Sequence, residues 1–448
     1  MIELTTVRKH KVTLSDYDYK RDIENRLLIS HLTVEEHAVL EEILFSSIRT
    51  TVRKIAKSID IAEDTVLSIL KKLGKTGLIS FEEEAVVVDK EMRKYFETEL
   101  EKFDDAFQAG MEFLQHLLKK VPIHVLPHWY AIPRTSNNIF DSLIEKYLLT
   151  PQAYQRYLQD LNFPDPSISA IAQDVLKSPD YEVTAQEIQK KYNLTPEKFQ
   201  EAMLTLEFHF VCTLAYRKKG EKWHEVVTLF QEWKEHLLFL KETAPQPIAE
   251  PKKVQRYRPA DFSFVDDMTA VLVHAKKQPD FLQLKNGPIK FSTPAPDEEY
   301  LKRLLLKIEQ VQLAQLQDGK LVLTDAGEEW LELRSENRAL YLYRHPMNHL
   351  QTTREIEKSI LRIVNLGWVS FSDFLKGVYA PASEGQTVAL KKTGKSWKYQ
   401  RPIYTPQDIK IIESVVLEHL FEAGVTALGS YQGNLCISVT PFGQSLFG

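Results

Sequence analysis

Between Leu32 and Phe96 the chain passes through one fixed order of local signals, and that order narrows the folds open to it. Thr33 followed by Glu36 forms a capping box, and Val34, Ala38, Leu40, Ile43 and Leu44 lay an apolar stripe along the helix it starts. Thr51 caps a short second helix, Val52 to Ser58, and Ile59-Asp60-Ile61 makes a tight turn. A third helix begins near Ala62, packs through Val66, Ile69, Leu70 and Leu73, and stops at Gly74. Two β-rich runs, Leu78 to Phe81 and Ala85 to Val88, then flank Glu82-Glu83-Glu84, which predicts a hairpin.

Helix, helix, turn, helix, hairpin is the order of a winged helix. The same grammar returns from Ile168 to Leu240, with helices at Ile168 to Leu176 and Thr184 to Tyr192. Thr195 caps the third helix, with Pro196 at the position where its missing N–H costs nothing. A second wing follows, Phe210 to Tyr216 and Trp223 to Val227 around Arg217-Lys218-Lys219-Gly220-Glu221-Lys222. Pro245, Pro247, Pro251 and Pro259 predict an interdomain linker, and two further helix–strand units follow it. The expected fold is α+β and mainly α-helical, with multiple winged-helix modules joined by helices and that Pro-containing linker. The expected segments are 1–31, winged helix 32–98, helical connector 99–163, winged helix 164–242, linker 243–260, and winged-helix-like units 261–345 and 346–448. A long amphipathic helix is expected from Glu91 to Lys120.

At 448 residues one core does not suffice, and 43% hydrophobic with 27% charged residues is a globular balance. The formal net charge of −5 excludes a uniformly basic nucleic-acid coat but leaves room for local basic patches. Cys212 and Cys436 are the two cysteines, without metal-ligand neighbours, and read as buried thiols of a reducing compartment. No apolar run reaches signal-peptide or membrane-spanning length, so a cytoplasmic location and no membrane partner are expected.

Catalysis finds no support. Gly394-Lys395-Ser396 resembles the end of a phosphate-binding loop, but Ala389 stands where that motif needs glycine. His124 and His128 are four apart, but Pro122 and Pro127 disfavour a helix there and no carboxylate or cysteine is nearby, so neither a metal nor a cofactor is expected. The expectation is a non-enzyme.

Charge placement carries what remains. The third helix of the first module opens with Glu63 and Asp64, and its wing tip is Glu82, Glu83 and Glu84. Carboxylates there oppose a phosphate backbone, so this module reads as a partner-binding or structural wing. The second wing instead presents Arg217, Lys218, Lys219 and Lys222 between Tyr216 and Trp223. It is either a phosphate contact with stacking aromatics or a solvated hairpin tip. The strongest patch is the insertion Val388 to Thr405, with Lys391, Lys392, Lys395, Lys398 and Arg401 interleaved with Trp397, Tyr399 and Tyr404. No acidic residue lies between Glu384 and Asp408, which points to a mobile loop ordering on a phosphate backbone. Lys252, Lys253, Arg256 and Arg258 around Tyr257 give a weaker signal of the same kind.

Two strand–turn endings look alike: Leu321-Val-Leu-Thr324-Asp-Ala-Gly327 and Ile437-Ser-Val-Thr440-Pro-Phe-Gly443. They resemble the repeated leucine–threonine–glycine endings of bacterial helicase-associated domain proteins, themselves similar to the region accompanying XPB-type DNA helicases. The resemblance covers Asp261 to Gly448 and implies a DNA-associated accessory protein working beside a helicase. The leading expectation is a non-catalytic adaptor that contacts DNA backbone without sequence preference and docks a protein partner, such as a helicase, through its acidic wing. The alternatives are a pure assembly scaffold of a chromosome-organising or transcription complex, and a transcription regulator. The last is disfavoured because neither recognition helix offers an Arg, Asn or Gln set for base edges.

Overall fold

The computed structural model describes residues 11–83, 85–104, 107–133, 138–220, 222–279, 289–292, 296–345, 350–382, 388–394 and 396–447. Glu84 and Lys395, both singled out above, lie outside the described residues. The chain divides into two units, Met1–Leu237 with Ala389–Tyr399, and Leu238–Val388 with Gln400–Gly448.

In the first unit α1 (Tyr19–Ser30) precedes α2 (Val34–Phe45), which starts on the Thr33–Glu36 capping box. Strand β1 (Arg49–Thr51) leads into α3 (Val52–Ile59), capped by the Thr51 hydroxyl. Asp60 turns the chain in a left-handed conformation (φ 56°), and α4 (Glu63–Gly74) follows. β2 (Ile79–Glu82) and β3 (Ala85–Val88) form a hairpin onto which β1 adds, in the antiparallel order β1-β3-β2. The apolar stripe predicted from spacing forms the core, with Leu40, Ile43, Val66, Leu70 and Leu73 all buried.

Among the described residues, five α-helices connect this module to the next: α5 (Lys90–Leu100), α6 (Met111–Leu118), α7 (Leu126–Trp129), α8 (Ile139–Leu143) and α9 (Pro151–Asp160). Then the same order repeats. α10 (Pro166–Lys177), β4 (Glu182–Thr184), α11 (Ala185–Tyr192), a left-handed Asn193 (φ 50°), α12 (Pro196–Phe208), β5 (Cys212–Lys219) and β6 (Lys222–Leu229) build the sheet β4-β6-β5. α13 (Gln231–Glu242) follows.

In the second unit β7 (Gln255–Arg256) precedes α14 (Ser263–Lys277), and a helix at Glu298–Gln310 leads to the hairpin β8 (Ala314–Gln317) and β9 (Lys320–Leu323). β10 (Val369–Ser370) and a helix at Phe371–Lys376 come next. The hairpin β11 (Leu390–Thr393) and β12 (Ser396–Tyr399), which belongs to the first unit, is inserted at this point. The helix at Pro406–Glu413 continues with π-helical geometry over Ser414–Leu420 and delivers β13 (Thr426–Tyr431) and β14 (Asn434–Val439). The sheet order is β10-β14-β13-β7.

One corner recurs four times. Between helix and hairpin stands a residue with positive φ, namely Gly77 (78°), Phe210 (57°), Gln312 (56°) or Gly424 (73°). Each is followed by a buried apolar residue, Leu78, Val211, Leu313 and Val425. In the second unit the two similar endings close over this corner. The Thr324 hydroxyl accepts from the Gly327 N–H at 3.1 Å and donates to Gln312 O at 2.7 Å. The Thr440 hydroxyl accepts from the Gly443 N–H at 3.0 Å and donates to Gly424 O at 2.6 Å. A Cβ on Gly327 would lie 2.0 Å from Leu313 O, and one on Gly443 2.2 Å from Val425 O, so only glycine fits.

Several expectations need correction. The helix expected from Glu91 to Lys120 is broken after Leu100, because Lys102 and Phe103 turn inward. Gly110 also lies against Glu232, where a Cβ would come within 2.9 Å of the carboxylate. The Pro-containing stretch is not free of regular structure, since Gln255 and Arg256 add an edge strand to β13. Arg258 is buried there, its guanidinium 4.3 Å over the Phe421 ring and 4.8 Å over Phe264.

Six charged groups weld the first unit. Asp22 and Arg26 of α1, Glu99 of α5, Lys102 and Glu207 of α12 are buried together, and the half-buried Lys120 joins them. Arg26 lies 3.3 Å from Asp22 and bonds Glu207. Lys102 bridges Glu99 (2.9 Å) and Glu207 (3.6 Å), and Lys120 bridges Glu99 (2.6 Å) and Asp22 (3.2 Å). Burial alone would raise the three carboxyl pKa values, but the cations overcome it and hold all three below the usual carboxylate range.

Candidate nucleic-acid interface

The alternation of a β-strand sorts the insertion into two faces. Leu390 pairs with Tyr399 and Lys392 with Trp397 on one face, while Lys391 pairs with Lys398 and Thr393 with Ser396 on the other. The first face packs on the body of the unit. Leu390 N–H donates to Leu149 O at 2.7 Å, and the buried Tyr399 donates its hydroxyl to Leu148 O at 2.9 Å. Trp397 is half-buried, edge-on to Phe140 at 6.1 Å. The insertion is thus a docked hairpin turning at Gly394 (φ 65°), which corrects the expectation of a mobile loop. It also removes Tyr399 from the surface.

Exposed charge remains on both faces: Lys391 and Lys398 stand directly opposite each other on the second face, and Lys392 is exposed beside Trp397 on the first. Like charges paired across strands destabilise a hairpin by a fraction of a kcal/mol, roughly 0.2–1. Within the first unit Glu235, 3.4 Å from Lys398, answers one of the two. Arg401 lies beyond the hairpin, in the second unit, its guanidinium 4.3 Å over the Phe239 ring. The Tyr404 hydroxyl, in that same unit, donates to Ala380 O at 2.8 Å.

The β5–β6 hairpin behaves alike. Lys219 pairs directly with Lys222, and Lys218, Lys219 and Lys222 are exposed. Arg217 instead meets Glu182 at 3.1 Å, an ion pair that sequence alone does not reveal. Tyr216 is buried, stacked on Phe103 at 4.0 Å, and Trp223 lies 5.1 Å from Phe103 and 5.3 Å from His37. Burial, and then the Lys218 charge, push His37 down to about 4, so its ring is neutral at neutral pH. At the β2–β3 hairpin, Glu82 pairs with Arg49 at 3.4 Å, and Glu83 occupies the turn at φ 54°. Arg256 is likewise taken, by Asp261 at 2.5 Å, and Lys253 by Glu250 at 2.6 Å.

Among the described residues, no group of three or more His, Cys, Asp or Glu side chains stands as a metal-ligand set. None of the described helices is long and apolar enough to cross a membrane. No protein-family model, curated protein or solved structure matches the chain.

Proposed function

We propose that the chain is a tandem winged-helix adaptor, without catalytic activity, that grips the backbone of duplex DNA through its lysine-bearing hairpins. The short strand before the second helix, the left-handed turn and the sheet orders β1-β3-β2 and β4-β6-β5 support the winged-helix assignment. The observation that carries the binding reading is the outward face of β11–β12. It holds Lys391 opposite Lys398 at a local energetic cost that an anionic partner removes. Duplex is favoured over single strands because the aromatic rings beside the cations are engaged within the protein, leaving point charges rather than stacking platforms. Glu63 and Asp64 are exposed at the start of α4, which argues against base reading by that helix. The acidic wing tip at Glu82 and Glu83 suits a protein partner, and the repeated threonine–glycine corners fit a helicase-associated role.

Fluorescence anisotropy with a labelled duplex tests this. Replacing Lys391, Lys392 and Lys398 with alanine should weaken binding on the order of 100-fold at 0.1 M salt, given three lost phosphate contacts. An unchanged affinity sinks the reading. One observation favours a second reading, a pure scaffold: Tyr216 and Trp223 of the second wing pack against His37 and Phe103, so this wing already serves as an internal contact. Absence of any duplex binding at low salt would select it.

A further inference from the structure

We infer that the groove between the end of α6 and the start of α8 is a docking site for an acidic amphipathic helix of a partner protein. Its volume is about 670 Å³, and its floor is Leu118, Val121, Leu126 and Phe140, all buried. Ile123 on its rim is 74% exposed and extends the apolar lining of the recess onto the surface. A recess of this size and lining accepts the apolar stripe of one helix, entering at i, i+3, i+4 and i+7 spacing.

The charges around it decide which helix. Among the described residues that line the groove none is acidic, whereas Lys119 is exposed on its wall. Lys120 also lines it, but its ammonium is committed to Asp22 and Glu99. On another side Phe140, part of the floor, touches the ring of Trp397, whose cross-strand neighbour is the exposed Lys392. β12 lies beside α6, the helix that supplies Leu118. Lys119 thus stands on the groove's wall, and Lys392 stands across the hairpin from Trp397, the ring that meets Phe140 of the floor. A helix with glutamate or aspartate beside its apolar stripe satisfies both, while a basic helix is repelled. This inference shares only Lys392 with the phosphate-binding reading and otherwise rests on the apolar floor and on Lys119.

The test uses the full chain and two labelled 16-residue peptides with leucines at i, i+3, i+4 and i+7. One carries glutamate on its flanks and the other lysine. Anisotropy at 0.1 M salt should show binding of the Glu peptide and at least about tenfold weaker binding of the Lys peptide. Ile123→Asp should weaken the Glu peptide about 10- to 100-fold, the loss expected when a buried isoleucine contact is removed. Ile123 is exposed, so this variant should fold, and Lys119→Glu provides a second handle by shifting preference toward the Lys peptide. Equal binding of both peptides, or no effect of either substitution, overturns the assignment. Dimerisation of the wild type in light scattering that Ile123→Asp abolishes would also overturn it, by giving the groove to a second copy of the chain.

Discussion

Glu207 is the residue whose replacement should damage the first unit most. Its carboxylate is fully buried and accepts from Arg26, from the Thr213 hydroxyl at 3.1 Å and from the Leu214 N–H at 3.3 Å, with Lys102 at 3.6 Å. The cluster balances Arg26, Lys102 and Lys120 against Asp22, Glu99 and Glu207. Glu207→Gln keeps the shape but leaves one cation uncompensated in a buried site, which costs about 3–5 kcal/mol. Against a domain stability of roughly 5–15 kcal/mol, that is a large fraction. Hydrogen exchange of the full chain reads it directly, as lost protection of amides in α1 and α12. Pairing Glu207→Gln with Arg26→Met restores the balance, so the double variant should be less destabilised than the sum of the singles by more than about 1 kcal/mol. A Glu207→Gln cost below about 1 kcal/mol, or strict additivity, refutes the reasoning.

Two more outcomes follow from the same physics. Glu232 accepts from the Met111 N–H at 2.8 Å, while its second oxygen is buried without a partner, and burial pushes its pKa up to about 7. A carboxyl raised in the folded state stabilises the fold when protonated, and that contribution is lost as pH rises from about 4.5 to 7. Glu232→Gln should therefore stabilise the first unit at pH 8 by up to roughly 3 kcal/mol and change little at pH 5, as denaturation at the two pH values would record. Gly443→Ala should cost about 2–4 kcal/mol by denaturation, because its Cβ meets Val425 O. Gly433→Ala, at φ 80° with nothing within 4 Å, should cost only about 1 kcal/mol.

What was legible in the sequence is what local chemistry determines. Thr33, Thr51 and Thr195 cap the helices their positions predict, Thr184 caps the helix expected to include it, and the β-rich runs after α4 and α12 pair as hairpins. The threonine–glycine endings were legible too, because one packing constraint wrote both. α1 was not, since the face it buries carries Asp22, Asn25 and Arg26, which periodicity assigns to solvent. The break after Leu100 was hidden for a related reason: Lys102 and Phe103 are drawn inward by residues about a hundred positions away. At the candidate site the cations were visible by composition, but their partners were not. Glu182 pairs with Arg217, and Glu235 lies beside Lys398, each from a distant element. The alternation Leu390-Lys-Lys-Thr with Ser-Trp-Lys-Tyr399 around Gly394 was a hairpin signal masked by the polar composition of the segment.

The most direct measurement is the salt dependence of binding to a mixed-sequence duplex, followed by anisotropy from 0.05 to 0.3 M salt. Each cation–phosphate contact contributes about −0.9 to the slope of log K against log salt. The account predicts a slope of about −3 if Lys391, Lys392 and Lys398 act alone, and about −5 if Lys218, Lys219 and Lys222 join them. A slope shallower than −1, or one that the triple alanine variant leaves unchanged, contradicts it.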